Sequence, residues 1–110
     1  MSYTVYLLEC NNNSLYCGIT TDLLRRYQEH LQGINCRYTR AFPPKAVAAA
    51  WTIKNGGKST ALKIEAFIKK QSRKKKGAII SSPAILNTLL AKNDIIADDV
   101  TILPITLNTV

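Results

Sequence analysis

Tyr6, Tyr16, Arg26, His30 and Glu65 are the side chains of this 110-residue chain whose types and spacing suit phosphodiester chemistry. The tyrosines stand ten residues apart, the arginine ten beyond the second, the histidine four further on, and the glutamate on a later apolar segment. Hydrolysing a phosphodiester needs an activated water, charge stabilisation at the phosphoryl oxygens and help for the leaving oxygen. Arg26 offers a planar fork to a phosphate; its plainer reading is an ion pair with Asp22. His30 offers proton transfer near neutrality, or is a helix-end cap. Tyr6 and Tyr16 are candidates for a phenolic base or for a ligand to metal-bound water, and a phenol needs a nearby cation to act at neutral pH. Otherwise they are packing aromatics in a small sheet. Glu65 is the one acid between Glu29 and Asp94. Mg²⁺ takes only one or two protein carboxylates, so Glu65 is the leading ligand candidate, against a helical pair with Lys69. Gly18 either permits close backbone approach or marks a bulge.

The elements that must position these groups are legible. Residues 3–10 form an apolar run ended by an Asn-rich turn, and residues 14–19 read as the hairpin partner. Side-chain alternation then allows both tyrosines to point to one side of the sheet. Thr20 or Thr21 is a natural N-cap for a helix reaching about Gln32, which Gly33 ends. Its apolar stripe is Leu23, Leu24, Tyr27 and Leu31; Arg26 and His30 sit one above the other on its flank, with Arg25 solvated. Residues 34–45 read as a polar, basic loop and residues 46–54 as a third strand. After a turn at 55–57, Ser59 or Thr60 caps a second helix through about Gln71, with Glu65 within or beside its packing face. A basic run at 73–76 precedes an apolar helix over 78–91, interrupted near Ser82-Pro83, and a last strand is placed at 100–103.

The length suits one domain with one modest core. Three cysteines without C-x-x-C spacing support neither a disulfide framework nor a zinc site. The N-terminus resembles neither a signal peptide nor a membrane span, so a cytoplasmic location without membrane contact is the expectation. Residues 1–82 hold fourteen Lys/Arg against four Asp/Glu, while residues 83–110 hold one lysine against three acids. That imbalance points to a polyanionic partner, most often nucleic acid, but it does not show cutting. Tyr38 and Trp51 are the candidate stacking aromatics. Ile102, Leu103, Ile105 and Leu107 suit either an interface or a last edge strand.

Thr4-Val5-Tyr6, Tyr16-Cys17-Gly18, the run 19–30 ending in Glu29-His30, the loop Arg37-Tyr38-Thr39-Arg40, and Glu65 followed by a basic run together resemble the GIY-YIG nuclease superfamily. The likeness is to its small single-domain bacterial (UPF0213-like) branch and covers about residues 2–80. Thr4 stands where the first motif has glycine, Cys17 replaces an aliphatic residue, and Ile19 stands where excision-repair relatives have lysine. The resemblance implies an α/β (α+β) fold with a small three-stranded, mainly antiparallel sheet flanked by helices. It divides the chain into a nuclease-like domain at 1–82 and an extension of unknown role at 83–110. It implies Tyr6 and Tyr16 as catalytic tyrosines, Arg26 as the phosphate-stabilising group, His30 as proton handler and Glu65 as ligand of one Mg²⁺ or Mn²⁺. Arg37, Tyr38, Arg40 and Lys74 are the expected nucleic-acid contacts. The function so implied is a metal-dependent endonuclease acting on DNA, with RNA left open and a protein partner supplying targeting. The alternative is a nucleic-acid-binding module on the same scaffold with little or no cleavage.

Overall fold

The computed structural model describes residues 2–106. Strand β1 (Tyr3–Cys10) turns through Asn11–Ser14 into β2 (Leu15–Thr20). The turn is built by its side chains: Asn13 takes a left-handed φ of 64°, and Asn12 Oδ1 accepts from the Ser14 amide at 3.2 Å and its hydroxyl at 2.6 Å. Asparagine suits such a turn because it tolerates positive φ and hydrogen-bonds its own backbone. Helix α1 (Leu23–Gln32) and a one-turn α2 (Arg37–Ala41) follow, then β3 (Pro44–Lys54), α3 (Gly57–Lys69), α4 (Arg73–Ser81), α5 (Ile85–Lys92) and β4 (Thr101–Pro104). All neighbouring strands are antiparallel, in the order β2-β1-β3-β4.

The sheet therefore has four strands, where three were expected. β4 pairs with β3 from Trp51↔Pro104 to Lys54↔Thr101, and Ile102 is buried in the main core. Leu107 lies outside the described residues. The extension is stitched to the rest of the chain: Leu86, Leu90, Val100 and Ile102 share one cluster with Val5, Leu7 and Trp51. Trp51 is 1% exposed and its indole N–H donates to the Pro83 carbonyl at 2.8 Å, so it is a core residue and no stacking platform.

As an interior strand, β1 is buried on both faces, which explains its continuous apolar run. One face (Val5, Leu7, Cys17, Ala49, Trp51, Ile53) packs on α3, α4 and α5 through Ala61, Ile64, Ile68, Ile79, Leu86 and Leu90. The other (Tyr6, Leu8, Ala50) packs on α1 through Leu23 and Tyr27. Local boundaries shift for identifiable reasons. Asp22 rather than a threonine caps α1, its side chain accepting from the Arg25 amide. The expected loop at 34–45 contains α2, and α3 begins at Gly57 (φ 67°) with Gly56 as its cap, three residues before the expected Ser59 cap. Ser72 caps the basic run into α4, its hydroxyl accepting from the Lys75 amide at 3.1 Å, and Pro83 separates α4 from α5.

Candidate active site

Tyr6 lies at the centre of its sheet face, and its cross-strand neighbours are Gly18 on β2 and Ala50 on β3. Both are small, so the phenol ring lies across the strands instead of standing off them. A Cβ on Gly18 would fall 2.5 Å from Tyr6 Oη and 2.7 Å from Cζ. This is why the position is glycine: it permits close approach, and no bulge is needed to explain it. Tyr16 points to the same face, as alternation requires.

Helix α1 brings His30 onto this face with no exposure at all. Its Nε2 is 2.8 Å from Tyr6 Oη and its Nδ1 is 2.8 Å from Thr39 Oγ1. The rings of Tyr6 and Tyr16 meet the imidazole edge-on, with centroids 5.7 and 5.3 Å away. His30 is thus neither a cap nor a surface group. It is the hub of the cluster. Tyr16 stacks on Tyr38 at 5.7 Å, and the Tyr38 hydroxyl meets Ser14 Oγ and accepts from Asn12 Nδ2 at 3.2 Å.

Arg26, one turn before His30, donates to Glu29 Oε1 at 2.8 Å and to the Asn35 carbonyl at 3.1 Å. The expected partner Asp22 belongs instead to Arg25, which also reaches Glu29. Held on two sides, the Arg26 fork is fixed in one orientation.

Burial sets the protonation states. It pushes the Tyr6 phenol up to about 12, against the pull of the Arg26 guanidinium. Burial and then the Cys36 thiol push Tyr16 higher still. His30 is pushed down to about 4 by burial, with the Arg26 charge adding to it. At neutral pH the cluster therefore holds two phenols and a neutral imidazole beside one fixed cation. Against the upward pull of burial, hydrogen bonds with Thr39 and Tyr16 hold the Cys36 thiol below its ordinary value.

Glu65 is not brought into this cluster. It is carried by α3, on the opposite face of the sheet, and its carboxylate is 3.6 Å from Lys69 Nζ. Its charge bears on Cys17, on β2 between Tyr16 and Gly18, whose thiol is pushed to about 12 by burial and then by the Glu65 charge. Because β2 is an edge strand, both helical layers reach its margin. An open depression there of about 390 Å³ is lined by Tyr3, Ile19 and Thr20 with Arg26 and Glu29 of α1 and Lys58 of α3. Among the described residues no three His, Cys, Asp or Glu side chains gather to hold a metal.

The expected nucleic-acid contacts divide between the layers. Arg37 and Arg40 are exposed on α2 beside the cluster, Tyr38 is half-buried within it, and Lys74 is exposed on α4 across the sheet. Sequence reasoning missed Thr39, Cys36, Lys58 and the Asn35 carbonyl. Glu29 was readable, three residues after Arg26 and four after Arg25. No helix of the described residues is long and apolar enough to cross a membrane.

Comparison with known proteins follows the same lines. The GIY-YIG catalytic domain model matches residues 2–77. A UPF0213 protein of Xanthomonas campestris is 44% identical over 82 residues, 74% of this chain and 78% of its own length. One from Vibrio cholerae is 40% identical over 85 residues, 77% and 83% respectively. The solution NMR structure of a UPF0213 protein from Bacillus halodurans is 36% identical, covering 83% of this chain and 98% of its own, with a TM-score of 0.47. The motif-bearing hairpin, the Arg26–His30 helix and the family match over 2–77 thus agree: the chain belongs to the GIY-YIG catalytic-domain family, a nuclease-type family whose substrates are nucleic acids.

Proposed function

We propose that this chain is a metal-dependent endonuclease hydrolysing phosphodiester bonds in DNA. The observation that carries the reading is the convergence of Tyr6, Tyr16 and Arg26 around one buried imidazole, on one face of a strongly basic domain. Arg26 is suited to clamp the phosphate, and the Tyr6–His30 pair to accept the proton of the attacking water.

GIY-YIG nucleases generally use a divalent metal. Glu65 fits the role of anchor: a hard carboxylate, partly buried and paired with one largely exposed lysine, suits Mg²⁺ or Mn²⁺. When bound, such an ion would supply charge neutralisation at the phosphate and a more acidic water. The substrate reaches the domain through its positive charge, with Arg37, Tyr38 and Arg40 beside the cluster.

The alternative, a nucleic-acid-binding module with little cleavage, draws support from one observation. Glu65 stands in the layer opposite the tyrosine–histidine cluster and forms no hydrogen bond or ion pair with it among the described residues. Cleavage of a labelled panel of single-stranded, duplex and branched DNA in Mg²⁺ and Mn²⁺ tests the choice, with Glu65→Ala and Arg26→Ala beside the wild type. Cutting that both variants abolish supports the nuclease. Salt-sensitive binding without cutting on any substrate supports the module.

A further inference from the structure

His30 is the single histidine in the chain, and Thr39, which is also fully buried, accounts for its second nitrogen. A neutral imidazole has one donor nitrogen and one acceptor nitrogen, so its two partners decide which is which. Two independent features converge on one arrangement.

The first is Thr39 itself. It lies in α2, and its hydroxyl has two acceptors on Cys36, three residues back: the carbonyl at 3.5 Å and the thiol whose pKa it lowers. Threonine in a helix commonly turns its hydroxyl proton onto such a carbonyl. The Oγ1 then presents a lone pair to His30, and Nδ1 must carry the hydrogen. The second is Tyr6, whose hydroxyl is buried and must place its proton. The groups around Oη are His30 Nε2, the side-chain-free Gly18, and Arg26, which can only donate. If Nε2 carried the hydrogen, the Tyr6 proton would be left with no acceptor, at a cost of about 1–3 kcal/mol.

We infer that Thr39 is a positioning residue that locks His30 in its Nδ1-protonated tautomer and so keeps Nε2 free to accept the Tyr6 proton. Hydrogen bonds then run one way, from Tyr6 O–H to Nε2, from Nδ1–H to Thr39 Oγ1, and from Thr39 O–H to Cys36.

The lock has a consequence for the hydrolysis proposed above, and its catalytic part rests on that reading. Water transfers a proton to Tyr6 Oη as Tyr6 passes its own to His30 Nε2. One O–H bond of water and one of Tyr6 break, while a new Tyr6 O–H and an Nε2–H form. The hydroxide adds to phosphorus, the bond to the leaving oxygen breaks, and that oxygen takes a proton from solvent water. The hydroxide left in solvent is neutralised as His30 returns its proton through Tyr6. Tyr6 is never a standing phenolate, which its raised pKa disfavours. The imidazolium formed in passing is supported by the Thr39 acceptor and by the negative charge of the bound phosphate.

With one histidine, the ¹⁵N imidazole spectrum contains one ring, and its tautomer can be read at neutral pH without any substrate. The wild type and Thr39→Ser are expected to show protonated Nδ1 and unprotonated Nε2. Tyr6→Phe, which removes the other partner, should keep that tautomer through Thr39 alone, and adding Thr39→Val, which keeps the branched shape and removes the hydroxyl, should abolish it. Thr39→Val by itself leaves Nδ1–H without its acceptor. Its kcat should fall on the order of ten- to a hundredfold, with KM little changed and Thr39→Ser restoring the rate. A wild type protonated at Nε2, or a folded Tyr6→Phe/Thr39→Val double variant that keeps the wild-type tautomer, overturns the lock. Should the double variant fail to fold, Tyr6→Phe alone still decides, since loss of the single tautomer there overturns the lock. If the lock is present but no substrate is cut, the tautomer assignment is upheld and the nuclease reading is the one that fails.

Discussion

Replacing Gly18 by alanine isolates the packing on which the site depends. In a strand, alanine normally stabilises by about 0.4–1 kcal/mol through the unfolded chain, and Gly18 has no positive φ that would oppose it. The added Cβ, however, falls 2.5 Å from Tyr6 Oη, 2.7 Å from Cζ and 3.2 Å from Cε1. The ring cannot swing aside cheaply, since it is 2% exposed and bonded to His30 at 2.8 Å. Overpacking of this kind costs about 1–3 kcal/mol, and parting Tyr6 from His30 leaves buried polar groups unpaired for about 1–3 kcal/mol more. The clash wins, leaving Gly18→Ala about 1–5 kcal/mol less stable. At about 4 °C per kcal/mol for a domain of this size, its Tm should fall by roughly 4–20 °C. Thermal or urea unfolding reads this directly. The control is the same change in a Tyr6→Leu background, where the three clashing atoms are gone and Gly18→Ala should be neutral or mildly stabilising. A Tm within a degree of wild type, or an equal cost in both backgrounds, would refute the reasoning.

Arg26→Ala should reduce cleavage about 10²- to 10³-fold, and Arg26→Lys should recover little because the fork to Glu29 and Asn35 is gone; folding should change by less than about 1 kcal/mol in either. Burial holds His30 down to about 4, so its contribution to stability is complete above the unfolded value near 6.5 and disappears as pH falls from there to about 4. Urea unfolding should therefore show the wild type losing about 2–3 kcal/mol more than His30→Gln across that window. Glu65→Ala should abolish cutting and calorimetric Mn²⁺ binding, with DNA affinity unchanged or raised and stability within about 0.5 kcal/mol. Neutralising Arg37 and Arg40, or separately Lys74, should flatten the dependence of duplex affinity on salt, lowering its log–log slope by about 0.9 for each phosphate no longer neutralised. An effect confined to the α2 pair would show that the nucleic acid tracks the face of the tyrosine cluster alone.

Much of the site was legible in short-range pattern. Hairpin parity places Tyr6, Tyr16 and Gly18 on one face, because side chains alternate along any strand. Helical spacing places His30 one turn beyond Arg26, and Gly33 ends α1 at φ 72° as its type predicts. The pairing of Glu65 with Lys69 was equally local. Less legible was the loop at 34–45, whose single helical turn has no amphipathic stripe to announce it, yet it carries Thr39 to His30.

The chain by itself thus determined most of the element types, the sides from which side chains leave them, and the strong positive charge, because these depend on neighbours within a few residues. Only the tertiary structure decided that the imidazole is buried, that a threonine nine positions away holds its second nitrogen, and that the arginine pairs with Glu29 instead of Asp22. It also decided that residues 83–104 complete the core and add a fourth strand, and that Glu65 lies across the sheet from the tyrosines. Those outcomes depend on which layers pack together and on how much water they exclude. Desolvation and long-range partner choice have no period in the sequence.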